Sequence, residues 1–206
     1  MGDKGIDKQW TFNFLINEFK KETDRAAVIL VAALIDEALT TILKSYLIPI
    51  PNATDNLFEG GNAPISTFSS KIDVSYRLGI ISSRFCRDIH LIRKIRNSFA
   101  HDIYGCNFEN GSVKSRVSEL SKTCEIMPVY DHFLEKKNEN IVKGTRGVFL
   151  FISSVMIYHL NNVIDDLSPL KPMNLIEDEL LYTDGKKMIK EELEKEKAKT
   201  KDKNKE

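Results

Sequence analysis

Cysteine is scarce in this 206-residue chain: Cys86, Cys106 and Cys124 are odd in number and widely spaced, with no C-x-x-C pair and no Cys/His cluster at zinc spacing. A disulfide scaffold is therefore not expected, and a reducing cytoplasm is the natural setting. Glycine and proline are sparse as well, 10 and 6, which favours long uninterrupted helices over a turn-rich sandwich. No charge dominates, since 30 basic side chains balance 30 acidic ones. A general pull towards nucleic acid or anionic lipid is thereby excluded, and any nucleic-acid site must be local. The polar stretch from Met1 to Gln9 lacks the apolar segment of a secretory signal. The most apolar run, Ala26 to Ile35, lies between charged pairs and is too short to cross a bilayer. Walker A, G-x-G-x-x-G, H-E-x-x-H, G-x-S-x-G and paired-carboxylate motifs are all missing, so no cofactor and no metal is expected.

What is present is a set of helical periods. Trp10 to Glu22 reads as a short first helix. Thr23 or Asp24 is placed to cap a second, Arg25 to Leu47, which Pro49 and Pro51 stop. Its alanines 26, 27, 32, 33 and 38 leave little bulk, so neighbouring helices can approach closely. Residues 48–64, with Gly60-Gly61, read as a loop, and Ser66 opens a helix that ends at Leu78 before Gly79. The hydroxyls of Ser66, Thr67, Ser69 and Ser70 fit a cap and a polar face. Ser82 or Ser83 caps a helix from Arg84 to about His101. Residues 102–114 look irregular, Ser115 to Glu125 suits a short helix, and 126–143, with His132, carries no clear period. Gly147 to Asp165 is apolar enough for a helix spanning a bundle; its β-branched residues allow a strand locally, but its length favours helix. His159, within it, reads as a hydrogen-bonded core residue. From Asp184 the chain is nearly all Lys and Glu, a solvated helix fraying into disorder with no apolar face. The expected organisation is a flexible 1–8, an all-α domain over 9–168 and a charged tail over 169–206.

The chemistry concentrates in Arg84 to Asp102, RFCRDIHLIRKIRNSFAHD. On a helical wheel Leu91, Ile92, Ile95 and Phe99 share an arc of about 100°, the core face. His90, Arg93, Arg96, Asn97, Ala100 and His101 occupy the opposite arc, roughly 140° wide. Ile89 lies on that side too, an apolar residue where water would be expected. With Arg84, Arg87 and Lys94 against Asp88 and Asp102, the helix is locally cationic in a neutral chain. A guanidinium grips phosphate in a fork of donors. An imidazole gives or takes a proton near neutrality. RNA carries its own nucleophile, the 2′-hydroxyl. Arg96 and His101, supported by Asn97, could thus cleave RNA without metal, with His90, Arg93 and Lys94 holding substrate. A two-fold dimer would supply both the acid and the base. A basic arc is equally what a plain solvated helix face looks like. Asp36 and Glu37, mid-helix in apolar surroundings, suit a polar pair at a buried edge or a partner for Arg93 or Arg96.

Arg96-Asn97-Ser98-Phe99-Ala100-His101 resembles the R-N-x3-H motif of the HEPN superfamily, helical proteins that include metal-independent ribonucleases of toxin and antiviral systems. DRAAVILVAALIDEAL (24–39), LFEGGNAPISTFSSKIDVSYRLGIIS (57–82), LIRKIRNSFAHD (91–102) and the helix after Thr145-Arg146 resemble the mannitol operon repressor (MltR-type) family, over most of residues 20–165. Both resemblances imply an all-α, HEPN-like bundle. The first implies RNA cleavage, with Arg96 and His101 catalytic, Asn97 supporting, a homodimer forming the site, and a toxin or phage-defence role under an antitoxin or other regulatory partner. The second implies transcriptional control. No separate helix-turn-helix is evident, so such control would run through a protein partner. The leading expectation is the cytoplasmic ribonuclease. The alternative is the non-catalytic regulator, and a third is a degenerate module serving as scaffold. No membrane association is expected.

Overall fold

The structure, a computed structural model, describes residues 12–50, 54–102, 105–124, 144–172 and 185–195. All regular structure among these residues is helical, so the fold is all-α. The helices are α1 (Phe12–Lys21), α2 (Asp24–Tyr46), α3 (Phe68–Arg77), α4 (Ser83–His101), α5 (Gly111–Cys124) and α6 (Gly144–Val163), the last ending in a 3-10 turn, Ile164–Asp166. By contacts the chain divides into two units at residues 169/170.

Local chemistry sets the helix starts. The Thr23 hydroxyl accepts from Ala26 N (3.2 Å) ahead of α2. Thr67 and Ser70 form a reciprocal capping box on α3, which begins at Phe68, two residues later than Ser66. The Ser82 hydroxyl accepts from Phe85 N (3.2 Å) ahead of α4. Gly79 ends α3 in the left-handed region, φ +75°, which a side chain would strain. α5 begins at Gly111, four residues before the hydroxyl-rich Ser115. An Asx turn at Asn107 (Glu109 N to Oδ1, 2.9 Å) tightens the loop, and Lys114 N then donates to Asn110 O (2.8 Å). The early start adds Val113 to Val117 and Leu120 on one buried face.

α2 and α6 form the centre. α2 packs on α6, α4 and α3, and α6 also meets α5 and α1. The rings of Phe99, Phe108 and Phe149 follow one another with centroids 5.3 Å apart, joining α4 to α6 through the loop before α5. Such rings are buried at about 1.5–3 kcal/mol each. Both α2 and α6 are long and apolar enough to span a bilayer by length and composition, α2 more so than its Ala26–Ile35 run suggests. About half of each such stretch, 50% and 56%, is buried inside the bundle, as in the core helices of a folded domain.

Three expectations are corrected here. Ile89 is fully buried, not solvent-facing, because α4 is packed against α2, α3 and α5 and not against one side alone. His159 is exposed, edge-on to exposed Tyr158 with centroids 5.8 Å apart, because the end of α6 keeps one face outside the core. In the second unit a helix runs over 185–195, and exposed Met188, Ile189 and Leu193 give it a short apolar arc that its Lys/Glu composition concealed. His132 lies outside the described residues.

Candidate functional site

α3 and α4 are joined by a turn at Gly79 and run antiparallel, as two observations establish. Mid-α3 Asp73 meets His90 in the first half of α4, and the start of α3 faces the second half. Where α3 begins, it leaves an open groove of about 420 Å³ between itself, α2 and α4. The floor is Ile29, Ala32 and Ala33, and the small α2 side chains are what keep the space clear. α4 contributes Arg93, Arg96 and Asn97, α2 contributes Asp36, and α3 contributes its first turn from Thr67 to Ser69.

The groove is net cationic. Asp36 is its one acidic lining residue, and Lys71 Nζ lies 3.0 Å from Asp36 Oδ1, off the hydrogen-bonding direction, as an ion pair. Two guanidiniums remain, next to the positive end of the α3 dipole and its first-turn N–H groups. Arg96 is exposed, and its Nη1 donates to Asn97 Oδ1 (3.2 Å), which holds the amide beside the guanidinium. Arg93 is half-buried, and its Nε is cut off from water with no hydrogen-bond partner.

Of the residues singled out in the sequence, Arg93, Arg96, Asn97 and Asp36 come together here. Asp36 takes Lys71 as its ion partner and shares the groove with the arginines. The others lie outside the groove lining. His101 is exposed on the last turn of α4, beside the cap residue Asp102, whose carbonyl accepts from Arg25 Nη2 (2.6 Å). Lys94 and Glu37 are exposed. His90 is half-buried and turned to α3, with Nε2 3.0 Å from Asp73 Oδ1 and Nδ1 buried without a partner.

Sequence reasoning missed Lys71, buried in the first half of α3, because a lysine there gives no periodic signal of burial. It missed Asp88, which is 1% exposed on the core side and takes Arg87 Nε and Nη2 (2.9 and 2.7 Å) on one oxygen. It also missed Arg146, whose Nη2 donates to Phe19 O (3.2 Å) and Glu22 O (2.5 Å) at the end of α1 while Nε approaches Asp24 Oδ1 at 3.2 Å.

No protein-family profile matches the sequence, and no curated protein does. Among solved structures, the X-ray structure of the MtlR–HPr complex from Escherichia coli contains a similar chain, at 16% identity and a TM-score of 0.50 over 74% of this chain and 97% of that one. The likeness is one of fold: an MtlR-like helical bundle.

Proposed function

We propose that this protein is a non-catalytic regulator of the mannitol-repressor type, which acts by holding a partner protein in the groove between α2, α3 and α4. The observation that carries the reading is the pairing of Arg93 and Arg96 with the start of α3 in one groove whose lining does not include His101. Two guanidiniums and a helix N-terminus receive a carboxylate or phosphate well; without an imidazole they have no group to move a proton at neutral pH. The similar fold occurs in a complex with HPr, which makes an HPr-type protein the first partner to try. The test is titration calorimetry against such a protein. Binding that is lost in Arg93→Ala and Arg96→Ala and retained in His101→Ala supports the reading; no binding by the folded protein, or loss only in His101→Ala, refutes it.

A second reading is a metal-independent endoribonuclease, with toxin or phage-defence duty under an antitoxin. It is favoured by one feature: Arg96 and His101 are both exposed on α4, open to a second copy of the chain. It requires a homodimer that brings two such faces together, since one imidazole per chain does not serve as both acid and base. Both readings place the protein in the cytoplasm. RNA incubated with the protein in EDTA separates them. The regulator leaves RNA intact and its expression leaves growth unaffected. The nuclease produces 2′,3′-cyclic phosphate ends and slows growth, and His101→Ala abolishes both effects.

A further inference from the structure

We propose that Asp73, Cys86 and His90 form a binding site for a zinc-type divalent cation that clips α3 to α4. Cys86 and His90 are four residues apart on one face of α4, and Asp73 comes from the antiparallel α3. One ligand atom from each, a thiol sulfur, a ring nitrogen and a carboxylate oxygen, lies within 4.8 Å of the other two. A tetrahedral ion with bonds of about 2.0 Å to N and O and about 2.3 Å to S needs its ligands roughly 3.3–3.7 Å apart. His90 Nε2 and Asp73 Oδ1 are already 3.0 Å apart, so the thiol and the carboxylate have to shift by an ångström or so. Asp73 is 61% exposed, free to make that adjustment and open to solvent on the side where water would complete the shell.

The donor set selects the ion. Thiolate with imidazole suits Zn²⁺ and Co²⁺, whereas Mg²⁺ and Ca²⁺ want oxygen alone. Before a cation binds, the Asp73 carboxylate disfavours a thiolate at Cys86. A cation reverses that balance: it binds the thiolate, the thiol proton leaves to solvent, and the Asp73 charge becomes a ligand in place of a repulsion. The cluster is separate from the groove, since none of its residues lines it. The site would stiffen the α3–α4 pair that positions the groove's walls, which goes beyond the regulator reading and does not depend on it.

The test is a Co²⁺ titration of the full chain, read by the thiolate-to-cobalt charge-transfer band, with competition by Zn²⁺. The expected result is one equivalent bound, displaced by Zn²⁺, with the band abolished in Cys86→Ser and retained in Cys106→Ser/Cys124→Ser. Asp73→Asn, at an exposed position and with folding checked by circular dichroism, should weaken binding about tenfold or more. Absence of the band in the folded protein overturns the proposal. So does a band that survives Cys86→Ser, or an affinity unchanged in Asp73→Asn.

Discussion

The Asp36–Lys71 pair joins α2 to α3 at the groove, and its two ends are unequally placed. The Lys71 side chain is 10% exposed, the Asp36 side chain 34%. Removing either partner therefore does different things. Asp36→Asn leaves an ammonium with its stem inside the bundle and no counter-charge. A fully buried pair broken in this way loses about 3–5 kcal/mol. With a third of the carboxylate in water, screening reduces the expected loss to about 1–3 kcal/mol. Lys71→Met keeps the packed stem, deletes the charge, and leaves Asp36 a route to solvent, for a loss of about 0–1 kcal/mol. The double variant should then resemble Lys71→Met alone, so the coupling equals the Asp36→Asn loss, about 1–3 kcal/mol. In a chain of this length 1 kcal/mol moves the midpoint about 2–4 °C, so Asp36→Asn should melt roughly 2–12 °C low by circular dichroism. The same substitution removes the groove's one acidic lining side chain, so anionic-partner affinity should rise while stability falls. Equal losses in the two single variants would refute the asymmetry, and a double variant equal to their sum would show that the pair is not coupled.

Arg146→Ala frees two carbonyls at the end of α1 and the Asp24 carboxylate at the start of α2; a loss of about 2–3 kcal/mol in urea unfolding is expected, and a loss under about 0.5 kcal/mol would show that water replaces the guanidinium. Ser153 and Ser154 are fully buried in α6 with hydroxyls that have no hydrogen-bond partner, so each Ser→Ala change should alter stability by less than about 1 kcal/mol, in the stabilising direction; a larger loss would reveal a partner. Burial, then a nearby aspartate, pushes up both half-buried thiols, Cys86 beside Asp73 and Cys106 beside Asp102, with Arg25 and Arg116 opposing the rise at Cys106. Their folded-state values exceed the unfolded ones, so this contribution to stability is full below the ordinary thiol range and falls as pH rises through the raised value. Peptide-resolved alkylation near pH 8 should run slower at both than in the urea-unfolded chain; equal rates would falsify the assignment.

How far the sequence carries depends on whether the cause is local. Thr23 and Ser82 cap the helices they precede, and Gly79 ends α3, because capping needs only neighbours along the chain. α5 went unread for its first turn because Gly and Asn at 105–111 resemble loop; the Val113, Val117, Leu120 spacing was the available signal. Ile89 was an anomaly on the wheel, expected to face water, and its full burial is set by helices packed against α4 that the wheel of one helix does not show. His159 misled because the apolar run of α6 implies burial all round, whereas burial is decided by what packs there.

The arc of Arg93, Arg96 and Asn97 was legible from spacing of three and four residues, but the groove was not, since it exists only where α3 begins against α4. That placement supports the binding surface proposed above over the bland solvated face that the same arc permits. A solvated arginine keeps every donor in water. Arg93 does not: its Nε is shut off from water and unpartnered, beside a helix start. An unmet donor on a charged group costs about 1–3 kcal/mol or more, and an anion seated in the groove would recover it. The proposed binding therefore turns on the half-buried Arg93 more than on the exposed Arg96 or His101, and Arg93→Ala should weaken it more than Arg96→Ala does.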